Sequence, residues 1–103
     1  MDSQAKHMGL TDFEYAFYIA VAYNESAKEP KQQDKLRAFA VVLTETMRQK
    51  ASIDWTIKES VEAKLKVAVK RILRKYEYPP DVQMLAKETV LKQAEMITNE
   101  ITT

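Results

Sequence analysis

Apolar positions along this chain recur every three to four residues, the repeat that lines one face of an α-helix. Four segments show it. The first opens at Thr11, where Thr11-Asp12-Phe13-Glu14 has the form of a capping box, and is expected to run to about Ala27 and stop before Pro30. Phe13, Ala16, Phe17, Ala20 and Ala27 form one stripe of it, while Tyr15, Tyr18, Ile19 and Val21 lie on its other sides. A helix that is apolar all round is buried on several faces, so this one is expected either to be central or to meet a partner.

The second segment spans roughly Gln32 to Lys50, with Leu36, Phe39, Ala40, Leu43 and Met47 at helical spacing. The third begins between Ser52 and Thr56, where Thr56-Ile57-Lys58-Glu59 is a second candidate capping box and Asp54 a rival cap, and ends near Tyr76. Its core side is Ile57, Val61, Leu65, Ala68, Val69, Ile72, Leu73 and Tyr76. The fourth starts at Pro80, a residue suited to a first helical turn, and reaches about Glu100 with Val82, Leu85, Ala86, Val90, Ala94, Ile97 and Ile101 inward. Residues 1–8 carry no clear pattern and read as a disordered or truncated lead-in. Residues 9–103 then form a single helical domain. The expectation is an all-α fold, a small bundle of about four helices.

Composition supports this and narrows the chemistry. Gly9 is the only glycine, and hairpin turns usually need glycine or asparagine at positive φ, so a sheet is hard to build. Apolar residues are 46% of the chain, enough for one core at this length. No cysteine is present, which removes disulfides, thiolate nucleophiles and thiolate metal sites together. The longest uncharged apolar run, Tyr15 to Tyr23, is about half of what a membrane span requires. Ala20-Val21-Ala22 resembles a signal-peptidase site, but Asp12 and Glu14 stand where a basic leader would be. A soluble, unexported, cytoplasmic protein is expected.

An active site is hard to assemble from these residues. The single histidine, His7, lies in the lead-in, and neither a nucleophile with its base nor a set of metal ligands converges at the required spacing. One glycine cannot build a phosphate-cradling loop. Glu59 and Glu62 could pose as an acid/base pair, but with Lys58 and Lys66 nearby they read as a solvated helix face. No catalytic residue, metal or cofactor is therefore expected in this segment.

The net charge of +1 points to no partner, but its distribution does. Lys64, Lys66, Lys70, Arg71, Arg74 and Lys75 fall within twelve residues that contain no acid. At about 100° per residue they cover a continuous arc opposite the apolar stripe of the third helix. Such a row can neutralise DNA phosphates and release counterions. It can equally be a solubilising face favoured by the helix dipole, or meet an anionic protein or membrane surface. The absence of a compact glycine turn, and of amide side chains for base edges, argues against a helix-turn-helix reader. Trp55 and the Tyr76/Tyr78 pair flank the ends of the same helix, and Tyr78-Pro79-Pro80 reads as a rigid connector.

Two stretches carry a family resemblance. One is Gly9-Leu10-Thr11-Asp12-Phe13-Glu14-Tyr15-Ala16-Phe17-Tyr18. The other is Ser52-Ile53-Asp54-Trp55-Thr56-Ile57-Lys58-Glu59-Ser60-Val61, continuing through Val69-Lys70-Arg71-Ile72-Leu73-Arg74-Lys75-Tyr76 to Tyr78-Pro79-Pro80-Asp81. Together they resemble the C-terminal helical domain of the restriction (R, motor) subunit of type I restriction-modification enzymes, across about residues 9–98. The resemblance implies a longer parent, an ATP- and Mg-dependent site-specific deoxyribonuclease whose chemistry lies in other domains. It implies for this domain a docking role, toward the methyltransferase core subunits and other domains of the R subunit, with non-specific duplex DNA contact and no membrane. The phosphate-contacting candidates are the six basic residues; the partner-interface candidates are Tyr15, Tyr18, Ile19, Trp55 and Tyr78. Two positions depart from the family. Glu77 stands where a glycine commonly closes the helix in a left-handed turn, so that closure is expected to differ or be strained. Ile19 stands where an acidic residue is often found.

Overall fold

Four long helices stand out among the described residues: α1 (Asp12–Ala22), α2 (Pro30–Lys50), α3 (Lys58–Tyr76) and α4 (Pro80–Thr102). The computed structural model describes residues 6–24, 27, 29–50 and 56–102, the side chains of Asp12, Phe13, Lys50, Glu100, Ile101 and Thr102 apart. The described residues contain no strand, so the all-α expectation holds.

α1 starts as the sequence predicts. The Thr11 hydroxyl accepts from the Glu14 N–H at 3.1 Å, and the Glu14 carboxylate accepts from the Thr11 N–H at 2.9 Å. Each side chain thus satisfies a backbone donor that the first turn leaves open. Glu14 is 6% exposed, and its carboxylate lies 3.6 Å from Nε of Arg48 on α2. Residues 6–8 form a helical turn, closed where the Gly9 N–H donates to the Lys6 carbonyl. Gly9 has φ 72°, a left-handed backbone that favours glycine, and a Cβ there would stand 3.3 Å from the Arg48 guanidinium, which would have to shift slightly.

The end of α1 differs from expectation. It stops at Ala22 rather than Ala27, with Tyr23 as its last capped residue. Asn24 then donates its side-chain amide to the Thr89 hydroxyl of α4, a long-range bond that takes the chain off the helical path. Ala27 is nonetheless buried, packed as part of the connection. The buried side of α1 is also rotated. Phe17, Val21 and Ala22 are fully enclosed, whereas Ala16 is exposed. Bulk decides this: enclosing Val21 removes more apolar surface from water than enclosing Ala16.

In α2 the predicted face is the observed one, Leu36, Phe39, Ala40, Leu43 and Met47 all being buried. Pro30 opens this helix two residues earlier than expected, as proline in a first turn does. On α3 the core takes Val61, Leu65, Val69, Ile72 and Leu73, but Ile57 and Tyr76 are each 50% exposed. Tyr76 is the last residue of α3 and Ile57 its cap. The cap position falls on Ile57 rather than Thr56, and the Ile57 side chain makes no cap hydrogen bond. Asp54 and Trp55 lie outside the described residues. α4 buries Val82, Ala86, Val90 and Ala94, with Leu85 and Ile97 packed at the margin.

Polar residues also enter the core. The Thr44 hydroxyl donates to the Ala40 carbonyl and the Thr98 hydroxyl to the Ala94 carbonyl, each at 2.7 Å. A threonine that bonds one turn back within its own helix can be buried without an unmet donor.

The pairing of helices sets the molecule's outer faces. α3 packs most extensively on α4 and α1 on α2, while α2 and α4 meet across the middle. Among the described residues α1 and α3 do not pack against each other. They lie on opposite sides of the α2–α4 layer, so their outer faces point to different neighbours.

Candidate nucleic-acid interface

The basic arc begins with how α3 is held. Val61, Leu65, Val69 and Ile72 follow one face at intervals of three and four, and burying them against α4 and α2 fixes the helix's rotation. Everything opposite that stripe must face water. Lys64, Lys66, Lys70, Arg71, Arg74 and Lys75 are all exposed there. Among the described residues none of the six takes part in a salt bridge or a side-chain hydrogen bond. Lys75 alone has an aromatic neighbour, its ammonium 5.5 Å from the Tyr76 ring centre. The row lies toward the C-terminal half of α3, and Arg74 and Lys75 stand in its last turn. The dipole at that end favours cations and accounts for part of the bias, but its influence fades within one turn. Lys64, Lys66 and Lys70 lie farther back.

The arc is not uniformly polar. Val67 sits in its middle, 56% exposed, and Lys70, Arg71, Arg74 and Lys75 surround it in a shallow depression of about 410 Å³. A second, larger cleft of about 560 Å³ runs along the α3–α4 seam, where Lys70 and Arg74 meet Lys87 of α4. Sequence reasoning missed Lys87. It is isolated among acidic and apolar neighbours on another helix, and only packing places it beside the arc.

The end of α3 closes on Glu77, whose φ of 49° and ψ of 50° are left-handed. The closure keeps the geometry that glycine would adopt and forces a side chain into it, which costs on the order of 1 kcal/mol. The strained-closure expectation is correct. After it, Tyr78 is half-buried, its ring edge-on to Phe39 of α2 at 5.6 Å. Burial, then the neighbouring Tyr76, push the Tyr78 phenol above its ordinary pKa. The Gln83 amide donates to the Tyr78 carbonyl, and Gln32 of α2 donates to Asp81 at 3.2 Å, tying the start of α4 to both neighbours. That hydrogen bond, more than any charge, holds the Asp81 carboxyl below its usual range.

The partner-interface candidates separate. Tyr15 and Tyr18 stack at 6.3 Å on α1, both half-buried, and Ile19 beside them is 37% exposed. Burial raises the Tyr18 pKa most, with Tyr23 adding to it and Arg37 opposing. Tyr23, 53% exposed, continues this outer face and carries the Arg37 guanidinium 4.7 Å from its ring. Tyr78 lies away from them, at the margin of the core. Trp55 is outside the described residues.

Among the described residues no three of histidine, cysteine, aspartate or glutamate gather as metal ligands would. Nor is any helix there long and apolar enough to cross a membrane. The sequence compares closely with known proteins. A family model described as type I restriction enzyme HindI endonuclease subunit-like, C-terminal, matches residues 1–100. The type I restriction enzyme HindI endonuclease subunit of Haemophilus influenzae is 45% identical over 97 residues, which are 94% of this chain and 9% of that protein. No solved structure matches. The chain therefore spans about a tenth of the length of its relative, and it belongs to the family of C-terminal domains of type I restriction enzyme endonuclease (R) subunits.

Proposed function

We propose that this domain is a non-catalytic assembly module of a type I restriction endonuclease subunit, with two working faces. The outer face of α1, with Tyr15, Ile19 and Tyr23, docks on protein: the methyltransferase core or another domain of the same subunit. The outer face of α3 contacts the phosphates of duplex DNA without reading its sequence. ATP, magnesium and bond cleavage are assigned to other parts of a longer cytoplasmic protein. The observation that carries the DNA reading is the row of six exposed cations without ion-pair partners among the described residues, on a helix whose acids lie elsewhere. The opposite placement of α1 and α3 supports the division, because a module so arranged can hold protein on one side and DNA on the other.

If three of the six cations meet phosphates, log-affinity falls with log-salt at a slope of about −3. Changing Lys66, Lys70 and Arg74 to glutamate abolishes duplex binding in a gel-shift assay while leaving far-UV helicity intact. Wild-type binding by that variant rejects the DNA contact.

A second reading has its own support. An apolar centre with a charged rim, as at Val67, is the anatomy of a protein interface. On this reading α3 meets an acidic protein surface and the domain does not touch DNA. Binding to the methyltransferase core that is lost in Val67→Asp, with no duplex shift in the wild type, would favour it.

A further inference from the structure

We propose that the cleft between α3 and α4 seats a backbone phosphate of the nucleic acid, with Lys87 as its third cation beside Lys70 and Arg74. The inference rests on the DNA reading of α3 and adds a residue from outside that helix.

Lys70 and Arg74 are one turn apart on the edge of the arc nearest α4, and Lys87 closes on them from the facing helix. The floor is apolar and firm, since Leu73 is 4% exposed. The end wall is tied down, because the Gln83 amide holds the Tyr78 carbonyl and Tyr78 packs edge-on to Phe39. A forked guanidinium with two ammonium groups suits a tetrahedral anion, offering donors from several directions and no acceptor to repel it. Glu77 is the one carboxylate lining the cleft, so three cations face one anion.

The shape of the charge selects a polymer. Lys64 to Lys75 extends about 16 Å along the helix, close to the axial rise of about five nucleotides on one strand. A small anion would occupy the cleft alone. A phosphodiester strand occupies the cleft and continues along the row.

Lys87→Ala tests this in the 103-residue chain, against a duplex of fixed length over a series of salt concentrations. One lost phosphate contact lowers the slope by about 0.9 and, near about 0.1 M salt, weakens binding by about eightfold. Lys92→Ala removes the same charge from another face of α4 and leaves both quantities unchanged. Glu77→Gln, which keeps the side-chain length, tightens binding. Far-UV circular dichroism verifies that each variant is folded. If Lys87→Ala binds with wild-type affinity and slope while the triple reversal on α3 abolishes binding, the cleft is wrong and the α3 contact stands. Equal losses from Lys87→Ala and Lys92→Ala overturn it too, since bulk charge then explains both. If the wild-type chain does not bind duplex, both readings fall.

Discussion

α1 and α3 are held in place by different means. α1 has eleven residues, is apolar on most sides and opens with a complete reciprocal cap whose glutamate is buried beside Arg48. α3 has nineteen residues, lacks any side-chain cap at its start and closes on a strained non-glycine residue. Yet α3 enters the core with five buried side chains on one regular face. A short helix without a sharp stripe depends on its ends, and a longer amphipathic one depends on its packing. For function the consequence is that α3's outer face is free of structural duty. Its cations can serve a partner because the fold does not use them.

That contrast can be broken at its strongest point by Leu65→Ala. Leu65 is fully enclosed on α3, and its truncation should cost about 2–5 kcal/mol in denaturant unfolding. A cost below about 1 kcal/mol would show that packing does not hold α3. The ends come next. Thr11→Ala should destabilise the domain by about 1 kcal/mol, because it opens the reciprocal cap of α1. Glu59→Ala, at the exposed glutamate in the first turn of α3, should cost no more than about a few tenths of a kcal/mol. Equal effects at the two positions would erase the difference between the helices. The smallest effect is a gain. Glu77→Gly relieves the left-handed strain but adds freedom to the unfolded chain, for a net stabilisation of about 0.5 kcal/mol in chemical denaturation. A loss there would mean that Glu77 makes a compensating contact.

The two Thr-x-x-Glu segments also mark how far local pattern reaches. Thr11-Asp12-Phe13-Glu14 and Thr56-Ile57-Lys58-Glu59 look alike in sequence, and only the first places its threonine at the cap position. At Glu14 the tertiary structure supplies Arg48 and a buried setting. At the other site α3 begins one residue later, and the cap falls on Ile57. The same limit appears at the end of α1, where the apolar run continues to Ala27 but the Asn24–Thr89 bond, made across 65 residues, draws the chain away.

Periodicity and composition alone determined the helical class, the inner faces of α2 and α4, most of α3's, and the arc of six cations. Each is set within one helix, where a repeat of 3.6 residues decides which side chains share a face. The features that only the tertiary structure decided depend on a second element. Glu14 is buried with Arg48 beside it, and Val21 rather than Ala16 turns inward because its larger side chain has more apolar surface to remove from water. Lys87 joins Lys70 and Arg74 because α3 and α4 pack along their length. No spacing along the chain encodes that meeting, since contacts between helices depend on how their buried faces interlock.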